Sequence, residues 1–250
     1  MPDLEEEIKN NFDNFTVAWK GELTTIQTAL DASEKVYLES YRRLTSINSW
    51  RELLVKNVMS DEAYRFFCEA QNDAVTSHVF ARLGSWRAAL KCLRSCIENI
   101  LFSEYYKDHP VELRLWLQGM YKLSFTEAIS YFQKHPDIEG SADLAGLELL
   151  QKEYSTLSRA VHGSDSNFRM TGPGGATNLW SCDTTKLGMW STRERLTITG
   201  VNLFLLVLHA KSMQGASLPG LRKSIGLTIN SAKKRKEIKK DLRVNLDMSP

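Results

Sequence analysis

The chain has 250 residues, 42% of them hydrophobic and 25% charged, which excludes a wholly disordered chain. With only 14 Gly and 6 Pro, collagen-like and low-complexity architectures are excluded as well. The formal net charge is +2, so any affinity for nucleic acid has to come from a local patch. The length suits one large domain or two small ones.

The pattern is helical nearly throughout. Phe12, Phe15, Trp19, Ile26, Leu30, Tyr37 and Leu44 recur at steps that place them on one stripe of a long N-terminal helix. That pattern breaks at Asn48 and Ser49 and again between Asn57 and Asp61. A second helix is expected to start near Asp61 and to stop at Gly84 and Ser85. Ser85 can cap a third helix, whose apolar face carries Ala89, Leu93, Cys96, Ile97 and Ile100.

His109-Pro110 starts a short helix with Pro at its first position. Ser124 and Glu127 form a capping box for a helix that stops at His135-Pro136. The next helix is expected from about Ser141 to Val161, ending at Gly163. Residues 164–192 contain TGPGGAT and read as an irregular or β-hairpin insertion. Helical periodicity returns near Ser191 and includes the apolar run Val201 to Leu208. After a Gly/Pro break at Gly215 to Gly220, the chain closes with a basic segment.

The expected fold is therefore all-α: an antiparallel helical bundle with a long N-terminal helix and the 164–192 insertion. Residues 1–228 form its single domain and 229–250 a basic tail. The four cysteines, Cys68, Cys92, Cys96 and Cys182, contain no C-x-x-C pair and fit thiols in a reducing compartment. The acidic N-terminus lacks a leader-like apolar stretch, and Val201 to Leu208 is far short of the ~20 residues a membrane span needs. A cytoplasmic protein without membrane contact is the expectation.

The most informative string is Tyr154-Ser-Thr-Leu-Ser-Arg-Ala-Val-His-Gly163. Arg159 and His162 lie three apart, and residues at that spacing share a helix face. A guanidinium binds phosphate through two parallel hydrogen bonds, and an imidazole exchanges protons near neutral pH. The pair can thus attack RNA without metal, with His162 activating a 2′-hydroxyl and Arg159 stabilising the charged phosphorane. The plainer alternative is capping, since a His at a helix end often satisfies backbone carbonyls.

Arg94-Ser-Cys-Ile-Glu98 on the third helix, followed by Leu157-Ser-Arg-Ala-Val-His-Gly163, resembles the HEPN-type helical domains of prokaryotic defence and toxin proteins. The resemblance covers about residues 60–165. It implies the helical fold, and it implies dimers that build a shared cleft. Catalytic members separate Arg and His more widely than the Ala160-Val161 step here. Arg94 and Glu98, one turn apart, are read either as a second wall of that cleft or as a helix-surface ion pair.

TGPGGAT lacks the Gly-Lys-Ser/Thr ending of a P-loop and is read as a turn. His78, His109, His135, His162 and His209 show no metal-ligand spacing, so neither metal nor cofactor is expected. Aromatics and cations combine around the insertion: Phe168, Arg169, Trp180, Lys186, Trp190 and Arg193. The two tryptophans there read as partner anchors or as a plug closing the core. Lys233, Lys234, Arg235, Lys236, Lys239 and Lys240 form a cationic cluster suited to phosphates or to an acidic protein surface.

Two functional expectations follow. The first is an anti-phage defence effector of prokaryotic or prophage origin that binds and inhibits a macromolecular partner through the insertion and the basic end. Such a partner is a phage replication or nucleic-acid-binding protein, a protein being favoured over nucleic acid. The second is a metal-independent HEPN-type endoribonuclease using Arg159 and His162.

Overall fold

The computed structural model describes residues 4–162, 166, 169, 171 and 181–246. Its helices are α1 (Leu4–Ala32), α2 (Glu34–Trp50), α3 (Lys56–Val58), α4 (Asp61–Arg82), α5 (Trp86–Asp108) and α6 (Pro110–Leu117). They continue as α7 (Phe125–Phe132), α8 (Pro136–Glu139), α9 (Leu147–Val161), α10 (Thr184–Leu208), α11 (Pro219–Thr228) and α12 (Ala232–Leu242). Among the described residues there is no strand, and no helix is long and apolar enough to cross a membrane.

The core is organised around α10. From Val201 to Leu208 every residue of this helix is buried, because α2, α5, α9 and α11 all pack against it. A helix enclosed on all sides needs no polar face, which explains the uninterrupted apolar run. Within that run Asn202 is buried and fully engaged. Its carbonyl accepts from Trp50 Nε1 at 2.9 Å, and its amide donates to Ser46 Oγ and Ile198 O at 2.8 Å each. Helices α4 and α5 form a hairpin through the turn at Leu83–Ser85. Gly84 adopts φ +67° there, and a Cβ at this position would meet the Ser181 carbonyl oxygen at 2.4 Å.

Local signals set several ends. Ser60, one residue before Asp61, is the N-cap of α4, accepting from the Ala63 amide. The Ser124–Glu127 capping box is complete. Ser85 makes no side-chain cap to α5.

Three expectations need correction. The long N-terminal helix is broken at Ser33, and only the last turns of α1 are seated on the body. Phe12 and Phe15 are 66% and 54% exposed, whereas Ile26 is buried. The stripe is amphipathic, but residues 4–15 are exposed. The helix expected from Ser141 begins instead at Leu147, because Gly146 in the left-handed region redirects the chain, where a Cβ would come within 3.0 Å of the Gly200 carbonyl oxygen of α10. Part of the expected insertion, from Thr184 to Thr192, is helix: Asp183 accepts from the amides of Thr185 and Lys186 and starts α10. The hairpin expected on TGPGGAT lies outside the described residues.

The basic tail is, through Leu246, part of the folded body. Ile238, Leu242, Val244 and Leu246 are buried, and the Leu246 carbonyl lies against Gly226. Ser231 caps α12 through the Lys234 amide.

Candidate functional site

Helix α9 is amphipathic. Leu147, Leu150, Glu153, Leu157 and Ala160 face the bundle. Its outer side, with Phe125 and Thr126 of α7, lines an open groove of about 450 Å³ whose other residues include Gln151, Tyr154, Ser155, Ser158, Arg159 and His162. The i,i+3 spacing thus brings Arg159 and His162 into one groove. Both are exposed.

One wall is rigid. Phe125 stacks on Tyr154 with centroids 3.6 Å apart and planes 5° from parallel. Arg94 of α5 lies 4.7 Å over the Tyr154 ring, donates to Ser158 Oγ at 3.0 Å, and bonds Glu98 Oε1 at 3.0 Å. Arg94 also donates to the Tyr154 hydroxyl, which in turn donates to Glu98 at 2.7 Å. Burial and the bond to Glu98 push the Tyr154 phenol up, so it stays protonated. Arg94 and Glu98 are therefore more than a pair on one helix surface. They clamp α5 to α9 directly beneath the groove.

The end of α9 separates the two roles open to His162. Arg87 of α5 donates to the Val161 carbonyl through Nε at 3.0 Å and through Nη2, capping the helix. The His162 backbone amide bonds Ser158 O at 2.9 Å. Its imidazole makes no hydrogen bond among the described residues and is left to the groove. Arg87, Arg94 and Arg159 place three guanidinium groups around the last turns of this helix, offsetting its negative pole.

The expected partner surface is not one patch. Trp190 is 0% exposed; its Nε1 donates to Ser77 Oγ at 3.0 Å and its ring packs on Tyr37 and His78. As a partner anchor Trp190 is corrected: it is sealed against α2 and α4. Arg193 is turned inward to Glu153, at 3.0 Å. Lys186 is half-buried in the first turn of α10 and Arg169 is exposed, while Phe168 and Trp180 lie outside the described residues. On α12, Lys234 bonds the Asp143 carbonyl at 3.1 Å, and Arg235 caps α11 through Ile229 O and Gly226 O. Lys233, Lys236, Lys239 and Lys240 are exposed.

The sequence reading missed a buried polar relay. Arg43 Nε bonds Glu194 Oε2 at 2.6 Å; Ser40 Oγ bonds Glu194 Oε1 at 3.2 Å and His78 Nδ1 at 2.9 Å. The local signal was a polar stripe, Ser40, Arg43 and Ser46, on the inward face of α2.

No protein-family model matches this chain, and no match was found among curated proteins or solved structures.

Proposed function

We propose that the α9 groove is a phosphodiester site and that the protein is a metal-independent endoribonuclease acting in prokaryotic defence. The observation that carries this is the shared groove of Arg159 and His162, with the capping role of the histidine already filled by Arg87. His162 takes the 2′-hydroxyl proton as the O2′–P bond forms. Arg159 holds the non-bridging oxygens of the pentacoordinate phosphorane. The P–O5′ bond then breaks, a proton from the imidazolium goes to the 5′-oxygen, and a 2′,3′-cyclic phosphate remains. The Tyr154–Phe125 stack offers an aromatic wall, and Ser155, Ser158 and Gln151 offer hydrogen bonds to ribose and base edges. The similarity of Arg94–Glu98 and Leu157–Gly163 to HEPN domains is the sole basis of the defence context; the enzyme reading rests on the groove, since the Arg159–His162 step is shorter than in catalytic members.

The test is incubation with structured and single-stranded RNAs in EDTA. Cleavage is expected to leave cyclic-phosphate ends, to be lost in His162→Ala, and to fall about a hundredfold in Arg159→Ala. Absence of cleavage, or equal cleavage by His162→Ala, rejects the enzyme.

A second reading rests on α12, whose helix holds Lys233, Lys236, Lys239 and Lys240 exposed on an anchored scaffold. In that reading the protein captures an acidic or nucleic-acid-bearing partner. Charge reversal at these lysines then abolishes capture from infected cells while leaving the melting temperature unchanged.

A further inference from the structure

A second groove, of about 560 Å³, lies at the junction of α1, α2 and α4, and its lining includes Asp31, Glu34, Tyr37, Tyr41, His78 and Arg82. His78 forms its floor. The ring is buried, and Tyr37 and Tyr41 stand edge-on to it, with centroids 5.8 and 6.4 Å away and planes inclined 78° and 68°. The Tyr37 hydroxyl donates to the Ala81 carbonyl at 3.2 Å, so that wall is fixed.

The relay behind the ring sets its tautomer. Burial raises Glu194 to about 7; above that pH its carboxylate beside Arg43 only accepts, so the single Ser40 hydroxyl proton points to Glu194. Ser40 then accepts from His78, and the ring proton sits on Nδ1. Nε2 is left with a lone pair. It has no hydrogen-bond partner among the described residues, and the ring lines the groove. Burial, with Arg82 and Arg43 nearby, holds the imidazole down to about 4. Above about pH 7, with Glu194 ionised, Nε2 accepts hydrogen bonds without taking a proton.

A buried acceptor, two tyrosine rings and two carboxylates complement one ligand chemistry, an N–H-bearing cation. We propose that this groove binds a guanidinium or primary ammonium group, which donates to His78 Nε2, lies against Tyr41 and is neutralised by Asp31 and Glu34. Arg82 opposes it and limits occupancy to one cationic head. Such a group comes on a small polyamine or on an arginine or lysine side chain of a peptide. This site is independent of the α9 groove.

The test is calorimetric titration of the whole protein with agmatine, with the capped peptide acetyl-Gly-Arg-Gly-amide, and with tetramethylammonium. Agmatine or the peptide is expected to bind saturably at about 1 mM or tighter. Tetramethylammonium, which has no N–H, is expected to bind at least about tenfold more weakly. Equal binding of the first two assigns a free cation, and tighter binding of the peptide assigns a protein partner. Asp31→Asn with Glu34→Gln weakens agmatine about tenfold, Tyr41→Ala about fivefold, and Arg82→Gln tightens it. These side chains are exposed, so the variants fold. The His78 Nε2 nitrogen resonance shifts on titration. No saturable binding, binding equal to tetramethylammonium, or variants indistinguishable from the parent overturns the site.

Discussion

Replacing Arg193 by Met removes the side chain that hydrogen-bonds the Glu153 carboxylate among the described residues. Glu153 is 1% exposed at its side chain, its Oε1 accepts from Arg193 at 3.0 Å, and its Oε2 is buried without a partner among the described residues. Breaking a buried ion pair by removing one member costs about 3–5 kcal/mol. Arg193 itself is a quarter exposed, so water reaches the vacated position and screens the remaining charge. The expected loss is therefore about 2–3 kcal/mol. Burial already pushes the Glu153 carboxyl up, against the opposing pull of Arg193, and removing Arg193 raises it further. A carboxyl raised in the fold binds more protons there than in the unfolded chain. Its penalty is full above the folded value and fades as pH falls toward the usual carboxylate range. Urea denaturation of Arg193→Met should thus show a deficit at pH 8 that shrinks at pH 5. The double variant with Glu153→Leu should recover to within about 1 kcal/mol of the parent. A single variant within about 0.5 kcal/mol of the parent at both pH values refutes the assignment and returns Arg193 to the exposed partner surface expected from sequence.

Phe12→Ala and Phe15→Ala should each change stability by less than about 0.5 kcal/mol, while Ile26→Ala, at the seated end of the same stripe, costs about 2 kcal/mol in a thermal melt. Gly84→Ala should lower the denaturant midpoint by more than about 2 kcal/mol equivalent, because it meets both a positive φ and the Ser181 carbonyl. His78, held at about 4, binds fewer protons in the fold than when unfolded, so its contribution is complete above pH 6.5 and is lost as pH falls through 4. Its size is on the order of 2 kcal/mol after allowing for the water that reaches the ring. Asp73 and Glu194, raised to about 6 and about 7 by burial, slope the other way. The check is therefore the difference between the parent and His78→Gln at pH 4 and pH 6.5; a constant difference removes His78 as the source.

Properties decided within a turn or two were legible in the residues themselves. Helicity follows from apolar periodicity, the start of α7 from Ser124 and Glu127, and the common face of Arg159 and His162 from a three-residue step, because each depends on backbone geometry alone. Which of several similar side chains ends up inside was not legible. Phe12 and Trp190 are both aromatic and both helical, yet one is exposed and the other sealed, since burial depends on which distant elements arrive beside them. Arg193 and Lys233 are both cations, but only Arg193 meets a buried carboxylate, from a helix 40 residues earlier. The relay from Arg43 through Glu194 and Ser40 to His78 joins residues up to 154 positions apart. Its chemistry exists only because the packing of α2 and α4 with α10 excludes water from those groups and leaves them one another as partners.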